Sequence, residues 1–293
     1  MRKMTLSLVA AGLLASVAPV AQAALITFGT AGYTAPNTLN GAGSGAWSVN
    51  NAGIGGTFDA NKYTISATGG INNSQSVVTA DITTQKDGTG VYQTAFNPVN
   101  GPITVSGYLR AVDQSNKNTA TTLLGLGILA SATDSFNNLT GVNYTQARLI
   151  RTTTSSLTYL LQIQNNTLGT NAANINWDGS AFSGGTASTI TLTSGNWYFM
   201  SSTYTKSGNN LVVNLQLLNA LSDGSLGSTV FNQSGTVTNA TLANDTSVYG
   251  GFRASANAGM ANLDNVTVVP EPTSLSLLGL GAAGLLLRRR KSV

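Results

Sequence analysis

Ser194-Gly195-Asn196-Trp197-Tyr198-Phe199-Met200, then Tyr204, then Ser207-Gly208-Asn209-Asn210 and Leu211-Val212-Val213-Asn214-Leu215-Gln216-Leu217 form the stretch that decides the fold class. Leu211, Val213, Leu215 and Leu217 alternate with Val212, Asn214, Gln216 and Leu218. A period of two sends alternate side chains to opposite faces, so an apolar row against a mainly polar one fits a strand packed on a core from one side. The Ser-Gly-Asn-Asn between the runs accepts positive φ at low cost. Tyr204 to Leu211 therefore reads as a hairpin.

The same alternation recurs outward from it. Ile103, Val105 and Leu109 face away from Thr104, Ser106, Tyr108 and Arg110; Leu157, Tyr159, Leu161 and Ile163 alternate with Thr158, Leu160, Gln162 and Gln164. Ile190 and Leu192 sit among threonines, and Val266 and Val268 flank Thr267. Asp87-Gly88, Asn100-Gly101-Pro102, Asp178-Gly179, Ser183-Gly184-Gly185 and Asp223-Gly224 punctuate the runs as turns. Leu123-Leu124-Gly125-Leu126-Gly127-Ile128-Leu129-Ala130 is apolar on both sides and reads either as a central strand buried on both faces or as one whose glycines accept close packing from the facing sheet. No long amphipathic helix is visible in the body. The expectation is an all-β, two-sheet antiparallel sandwich of jelly-roll type over residues 24–268, in one domain.

Composition narrows the chemistry. Of 293 residues 8% are charged, and there is no Cys and no His. Disulfides, Ser-His-Asp and Cys-His centres and the usual zinc ligands are excluded. The pI of about 9.4 comes from the ends. From Ala24 to Pro270, eight Lys and Arg stand against nine Asp, net −1. Nucleic-acid binding needs a basic patch on the folded part, and no nucleic-acid partner is expected.

Glycoside hydrolysis calls for two carboxylates, and the only Glu is Glu271. The nine aspartates are scattered, mostly beside turn residues. No catalytic residue is assigned, and the body is expected to be non-catalytic. Sugar binding favours an exposed aromatic face with amide partners. Trp47, Tyr144 and Trp177, in Gly/Asn/Ser- or Asn/Thr-rich stretches, are the candidate platforms, whereas Trp197 lies in an apolar strand and belongs to the core. No cofactor is expected. Were calcium bound, Asp134 with Asn137 and Asn138, or Asp264 with Asn265, would supply the oxygens; side-chain caps and turns explain the same residues.

The segment Ser194 to Met200 with Tyr204 and Leu211 to Leu215, together with Gly250-Gly251-Phe252-Arg253 and Asn262-Leu263-Asp264-Asn265-Val266-Thr267-Val268, resembles the laminin-G/concanavalin A-like lectin families. That resemblance implies a two-sheet jelly roll and no particular activity.

The two ends carry the address. Arg2 and Lys3 precede an apolar run from Leu6 to Val17, then Pro19 and Ala21-Gln22-Ala23. This reads as a signal peptide, residues 1–23, exported by the Sec machinery and cut after Ala23 by signal peptidase. At the other end, residues 269–293 contain Pro270-Glu271-Pro272, an apolar segment from Thr273 to Leu287, and Arg288-Arg289-Arg290-Lys291. Its three parts resemble the PEP-CTERM sorting signal of Gram-negative bacteria that make extracellular polysaccharide. The resemblance implies an exosortase partner, cleavage near Pro-Glu-Pro, and a cell-surface or extracellular destination. At 1.5 Å per residue the apolar segment spans about 22 Å, short of a hydrocarbon core of about 30 Å. The basic block holds its end in the cytoplasm. The tail is thus expected as a temporary inner-membrane anchor, with the prolines keeping the linker out of any ladder and open to the processing enzyme.

Three readings of the body follow: a non-enzymatic surface or matrix protein binding exopolysaccharide, a glycan hydrolase or lyase using Asp and Tyr, and a purely structural biofilm protein.

Overall fold

The computed structural model describes residues 24–25, 47–51, 63–66, 70–71, 76–79, 88–113, 119–136, 141–167, 173–255 and 258–270. The expected signal peptide and residues 271–293 lie outside these.

Among the described residues, seventeen strands form two sheets: β1 (Ala24–Leu25), β2 (Trp47–Asn51), β3 (Tyr63–Ser66), β4 (Ser76–Thr79), β5 (Gly88–Phe96), β6 (Ile103–Ala111), β7 (Thr122–Leu129), β8 (Tyr144–Arg151), β9 (Thr158–Asn166), β10 (Ala173–Trp177), β11 (Phe182–Ser183), β12 (Thr189–Thr191), β13 (Trp197–Ser207), β14 (Asn210–Ala220), β15 (Leu226–Thr238), β16 (Val248–Ala254) and β17 (Met260–Pro270). Sheet I has the order β15-β14-β13-β6-β17-β4-β3, with β1 also on β17; sheet II has the order β11-β10-β9-β8-β7-β16-β5-β2, with β12 also on β9. Every pairing is antiparallel. The chain is an all-β, two-sheet antiparallel sandwich. Among the described residues, the helical elements include a 3-10 turn at Pro98–Asn100 and α1 at Ala240–Asn244, and no helix is long and apolar enough to cross a membrane.

The central hairpin forms as its alternation requires. β13 and β14 pair from Trp197↔Ala220 to Ser207↔Asn210. The two-residue turn has Gly208 at φ 62°, the first central position of the turn type whose twist matches flanking strands. Leu211, Val213, Leu215 and Leu217 are fully buried, together with Ile103, Val105 and Leu109 of β6. They meet Ala147, Leu149, Leu161 and Ile163 of sheet II in one core. Tyr204 crosses that core: its hydroxyl donates to Leu126 O at 2.5 Å and accepts from Ala147 N at 3.1 Å. A buried phenol needs such partners, and here they tie sheet I to sheet II.

β7 is buried at every position, but its glycines serve the other face than the one expected. A Cβ on Gly125 would stand 2.3 Å from Gln146 Oε1, and one on Gly127 would stand 2.5 Å from the Phe136 ring and 2.7 Å from Thr145 O. Both neighbours lie on the outer side of sheet II. Phe136, from the loop after β7, lies over the cross-strand pair Gly127 and Gly251. It meets Tyr144 edge-on, with centroids 5.6 Å apart. The loop is fastened by Phe136 N donating to Thr89 Oγ1 and Arg253 Nη1 donating to Phe136 O at 2.7 Å.

A row of amides and a strand that ends in the tail

On the outer face of sheet II, polar side chains of β8, β9 and β10 stand opposite one another. Gln146 faces Gln164 and Arg148 faces Gln162; Gln164 then faces Asn174 and Gln162 faces Asn176. The side chains bond along these pairings. Gln146 Nε2 donates to Gln164 Oε1 at 2.6 Å, and Arg148 Nε donates to Gln162 Oε1 at 2.8 Å, with a second bond from Arg148 Nη2 to the same oxygen. Gln162 Nε2 donates to Asn176 Oδ1 at 2.8 Å, and Arg148 Nη2 reaches Asn174 Oδ1 at 3.5 Å. The row is buried at its centre, where Gln146 and Gln164 are at 0%, and opens at Asn174, which is exposed.

Where the row opens, the sheets part. A cleft of about 280 Å³ lies between β9–β10 and the end of β15, lined by Asn165, Ala173, Asn174, Ile175, Thr236, Val237 and Thr238. Asn165 is held in place: its Nδ2 donates to Thr238 O at 3.0 Å, and its Oδ1 accepts from Thr145 Oγ1 and Asn239 Nδ2, both at 2.8 Å. Both ends of the Asn165 amide are thus committed to the fold, as is the Thr238 hydroxyl, which donates to Asn210 Oδ1 at 2.9 Å.

The expected platforms fall elsewhere. Tyr144 is fully buried against Phe136, Val91 and Leu129. Burial pushes its phenol up to about 12, and the ring offers no face to a ligand. Trp177 is half-buried and turned toward the core, edge-on to Phe231 at 5.1 Å, its Nε1 buried with no partner. Trp47 begins β2 and pairs with Tyr92 through the backbone. Trp197 is buried, as its strand pattern implies.

The oxygen ligands weighed for calcium are dispersed. Asp134 follows β7 in sheet II, and burial holds its carboxyl above the usual range. Asp264 lies in β17 of sheet I. Its Oδ2 accepts from Ile71 N at 2.9 Å and its Oδ1 from Asn265 N at 2.7 Å. With Asn265 at φ 47°, Asp264 supports a bulge between Asp264 and Thr267. Both oxygens accept from backbone N–H groups of the chain. Asn137 lies outside the described residues, and among those described no three or more Asp or Glu gather.

Two aspartates, Asp178 half-buried and Asp223 exposed, act as turn acceptors. Asp178 takes Ser183 Oγ, Ala181 N, Ser180 N and Ser180 Oγ, and Asp223 takes Ser225 Oγ and N. These donors hold both carboxyls below the usual range. Each remains ionised near neutrality, the wrong state for a general acid.

The strand β17 ends on the first residue of the tail motif. Val269 pairs with Thr104 and Pro270 with Ile103 on β6, while Ala24 and Leu25 of β1 pair with Val268 and Thr267 on the other side. The expectation that both prolines stand clear of the ladder is corrected here. Pro270 occupies its last position, as a strand end permits. Glu271, Pro272 and Arg288 to Lys291 lie outside the described residues.

No curated protein matches this sequence. Solved structures similar to this chain include peanut lectin with a 9mer peptide, at 11% identity over 85% of this chain and 97% of that one, TM-score 0.43. The Ca2+/mannose-bound exoplasmic/lumenal domain of VIP36 is 15% identical over 80% and 86%, TM-score 0.43. The carbohydrate esterase vb_24B_21 of the Shiga toxin-encoding bacteriophage phi24B is 11% identical over 85% and 100%, TM-score 0.42. Residues 268–291 match the PEP-CTERM protein-sorting motif, so the strand that closes sheet I leads directly into the signal of an exported protein processed at the membrane.

Proposed function

We propose that this chain is a non-catalytic surface or matrix protein that binds extracellular polysaccharide after an exosortase has removed its tail. Sec export and signal-peptide removal would deliver it across the inner membrane, with the tail holding it there until cleavage. The observation that carries the binding reading is the amide row running from Gln146 and Arg148 through Gln162 to Asn176 and Asn174, where it meets the Asn- and Thr-lined cleft. Neutral donor-acceptor groups over apolar Ile175 and Val237 match the two aspects of a sugar, its hydroxyls and its C–H face.

A glycan array probed with the exported protein tests binding. We expect retention on the host's own exopolysaccharide, weakened about tenfold or more by Asn174→Ala with Thr236→Val, a change equivalent to about 1.4 kcal/mol. Failure of the wild-type protein to bind any glycan would leave a purely structural role. New reducing ends or unsaturated products after incubation would instead establish an enzyme. Replacing Pro270-Glu271-Pro272 with alanines is expected to leave uncut protein in the inner membrane; release unchanged from wild type would refute exosortase processing at this motif.

A further inference from the structure

The two ends of the body meet in one sheet. β1 and β17 are antiparallel, with Ala24 opposite Val268 and Leu25 opposite Thr267. On its other side β17 pairs with β6, from Thr267 opposite Ser106 to Pro270 opposite Ile103. β4 holds only Asn262 and Leu263, ahead of the bulge between Asp264 and Thr267. Among the described residues, β1 is therefore the strand that flanks the last stretch of β17 opposite β6.

This pairing brings the two expected processing sites together. The chain enters the body along β1, from the bond after Ala23, and leaves it along β17, toward Pro270-Glu271-Pro272. Antiparallel partners stand about 5 Å apart and a strand rises about 3.4 Å per residue, so Ala24 lies about 8 Å from Pro270. Whatever path the preceding residues take, the bond after Ala23 adjoins Ala24 and is within about 10 Å of Pro270. A folded unit of about 100 residues already has a radius of gyration of about 13 Å. An enzyme seated at one site thus covers the other.

Both apolar runs, Leu6 to Val17 and Thr273 to Leu287, carry their basic residues at the far end, Arg2 and Lys3 in one and Arg288 to Lys291 in the other. The positive-inside rule keeps both far ends in the cytoplasm. An exported chain that retains its signal peptide is therefore held to the membrane at two neighbouring points on one end of the sandwich. β1 is the first strand of the body in the chain and β17 the last, so export that begins at the N-terminus presents the bond after Ala23 first.

We propose that hydrolysis after Ala23 must precede cleavage of the tail: the exosortase takes a chain that already begins at Ala24, and a retained signal peptide blocks it sterically. Water adds across the Ala23–Ala24 amide, leaving a carboxylate on Ala23 and an ammonium on Ala24. The membrane-held chain beside β17 is then gone, and two residues of β1 stay in the ladder. This order rests on the export and exosortase reading above.

The test uses the full chain in its native host, with intact mass reporting both ends in the membrane and released fractions. Ala21→Leu with Ala23→Leu removes the small residues that signal peptidase requires. We expect this variant to keep its signal peptide and to lose tail cleavage. A flexible Gly/Ser insert of about 20 residues between Ala23 and Ala24 of the same variant spans about 25 Å on average. It is expected to restore tail cleavage with the signal peptide still attached, which a general failure of export would not allow. Replacing Pro270-Glu271-Pro272 with alanines should leave signal-peptide removal unchanged. Tail cleavage undiminished beside a retained signal peptide, or released wild-type chains that begin at Met1, would overturn the order. An insert that restores nothing would overturn the proximity on which it depends. A wild type that keeps its tail, by contrast, is a failure of the sorting reading, and the order falls with it.

Discussion

The outer face of sheet II at β7–β10 and the outer face of sheet I at β14–β15 are written in the same residues and meet opposite fates. Both are rows of Asn, Gln, Ser and Thr bonded from strand to strand. On sheet II the row is sealed, with Gln146 and Gln164 at 0% exposure and Arg148 at 9%. On sheet I the corresponding ladder is open, nine of the 13 residues of β15 being exposed. At one end of the sealed row the loop after β7 lays Phe136 over Gly127 and Gly251. A polar group without water depends on its protein partner, whereas one in solvent exchanges partners at little cost. Near-identical alternation thus yields a rigid inlay in one place and an adaptable edge in the other.

The largest expected separation between the faces is steric. Gly127→Ala would set a Cβ 2.7 Å from Thr145 O and 2.5 Å from the Phe136 ring. We expect a loss of about 3 kcal/mol, since a filled site must shift to admit it. Gly227→Ala on β15 meets Asn219 O no closer than 3.3 Å and should cost less than about 1 kcal/mol. Urea midpoints decide this, and equal losses would mean that Phe136 does not cap the sheet.

Hydrogen-bond deletions come next. Gln162→Leu removes the acceptor of Arg148 and the donor to Asn176, at an expected cost of about 2 kcal/mol. Asn214→Ala, whose partners Asn232 and Ser234 can turn to water, should cost about 0.5 kcal/mol or less. The comparison fails if the two losses are the same.

The smallest separation within the working pH range is electrostatic. Tyr144, on the sealed face, is raised to about 12 by burial. The unfolded chain releases this proton near pH 10, so it binds fewer protons than the folded chain above that point. The stability contribution is complete below about pH 10 and is lost as pH rises through the folded value of about 12. The strands β14 and β15 carry no titratable side chain. Urea midpoints from pH 9 to 12 should therefore fall less steeply for Tyr144→Phe than for wild type, and parallel curves would contradict the burial of Tyr144.

Much of the fold was legible because the alternation that builds it is local. β6, β9, β13, β14 and the Gly208 turn follow from neighbours in sequence. The double burial of β7 was legible too, but the reason for its glycines was not. Gln146 and Phe136 reach them through pairing and a loop fold that no local window contains. The same holds for Tyr144. Its Asn- and Thr-rich neighbours suggest exposure, and an aromatic ring eight positions earlier removes it. The amide row escaped notice although Gln162 and Gln164 were visible as a polar alternation, because their partners Gln146, Arg148, Asn174 and Asn176 are assembled only by strand register.

By itself the sequence determined the all-β class, the absence of Cys and His chemistry, the near-neutral body and the sorting motif, since each is a property of residue types, periods of two or a contiguous signal. Only the tertiary structure decided which polar row is sealed and which is open, that β15 is an edge, and that the first proline of the motif closes a ladder opposite Ile103. These depend on strand order and register, and both are fixed by contacts between residues far apart in the chain.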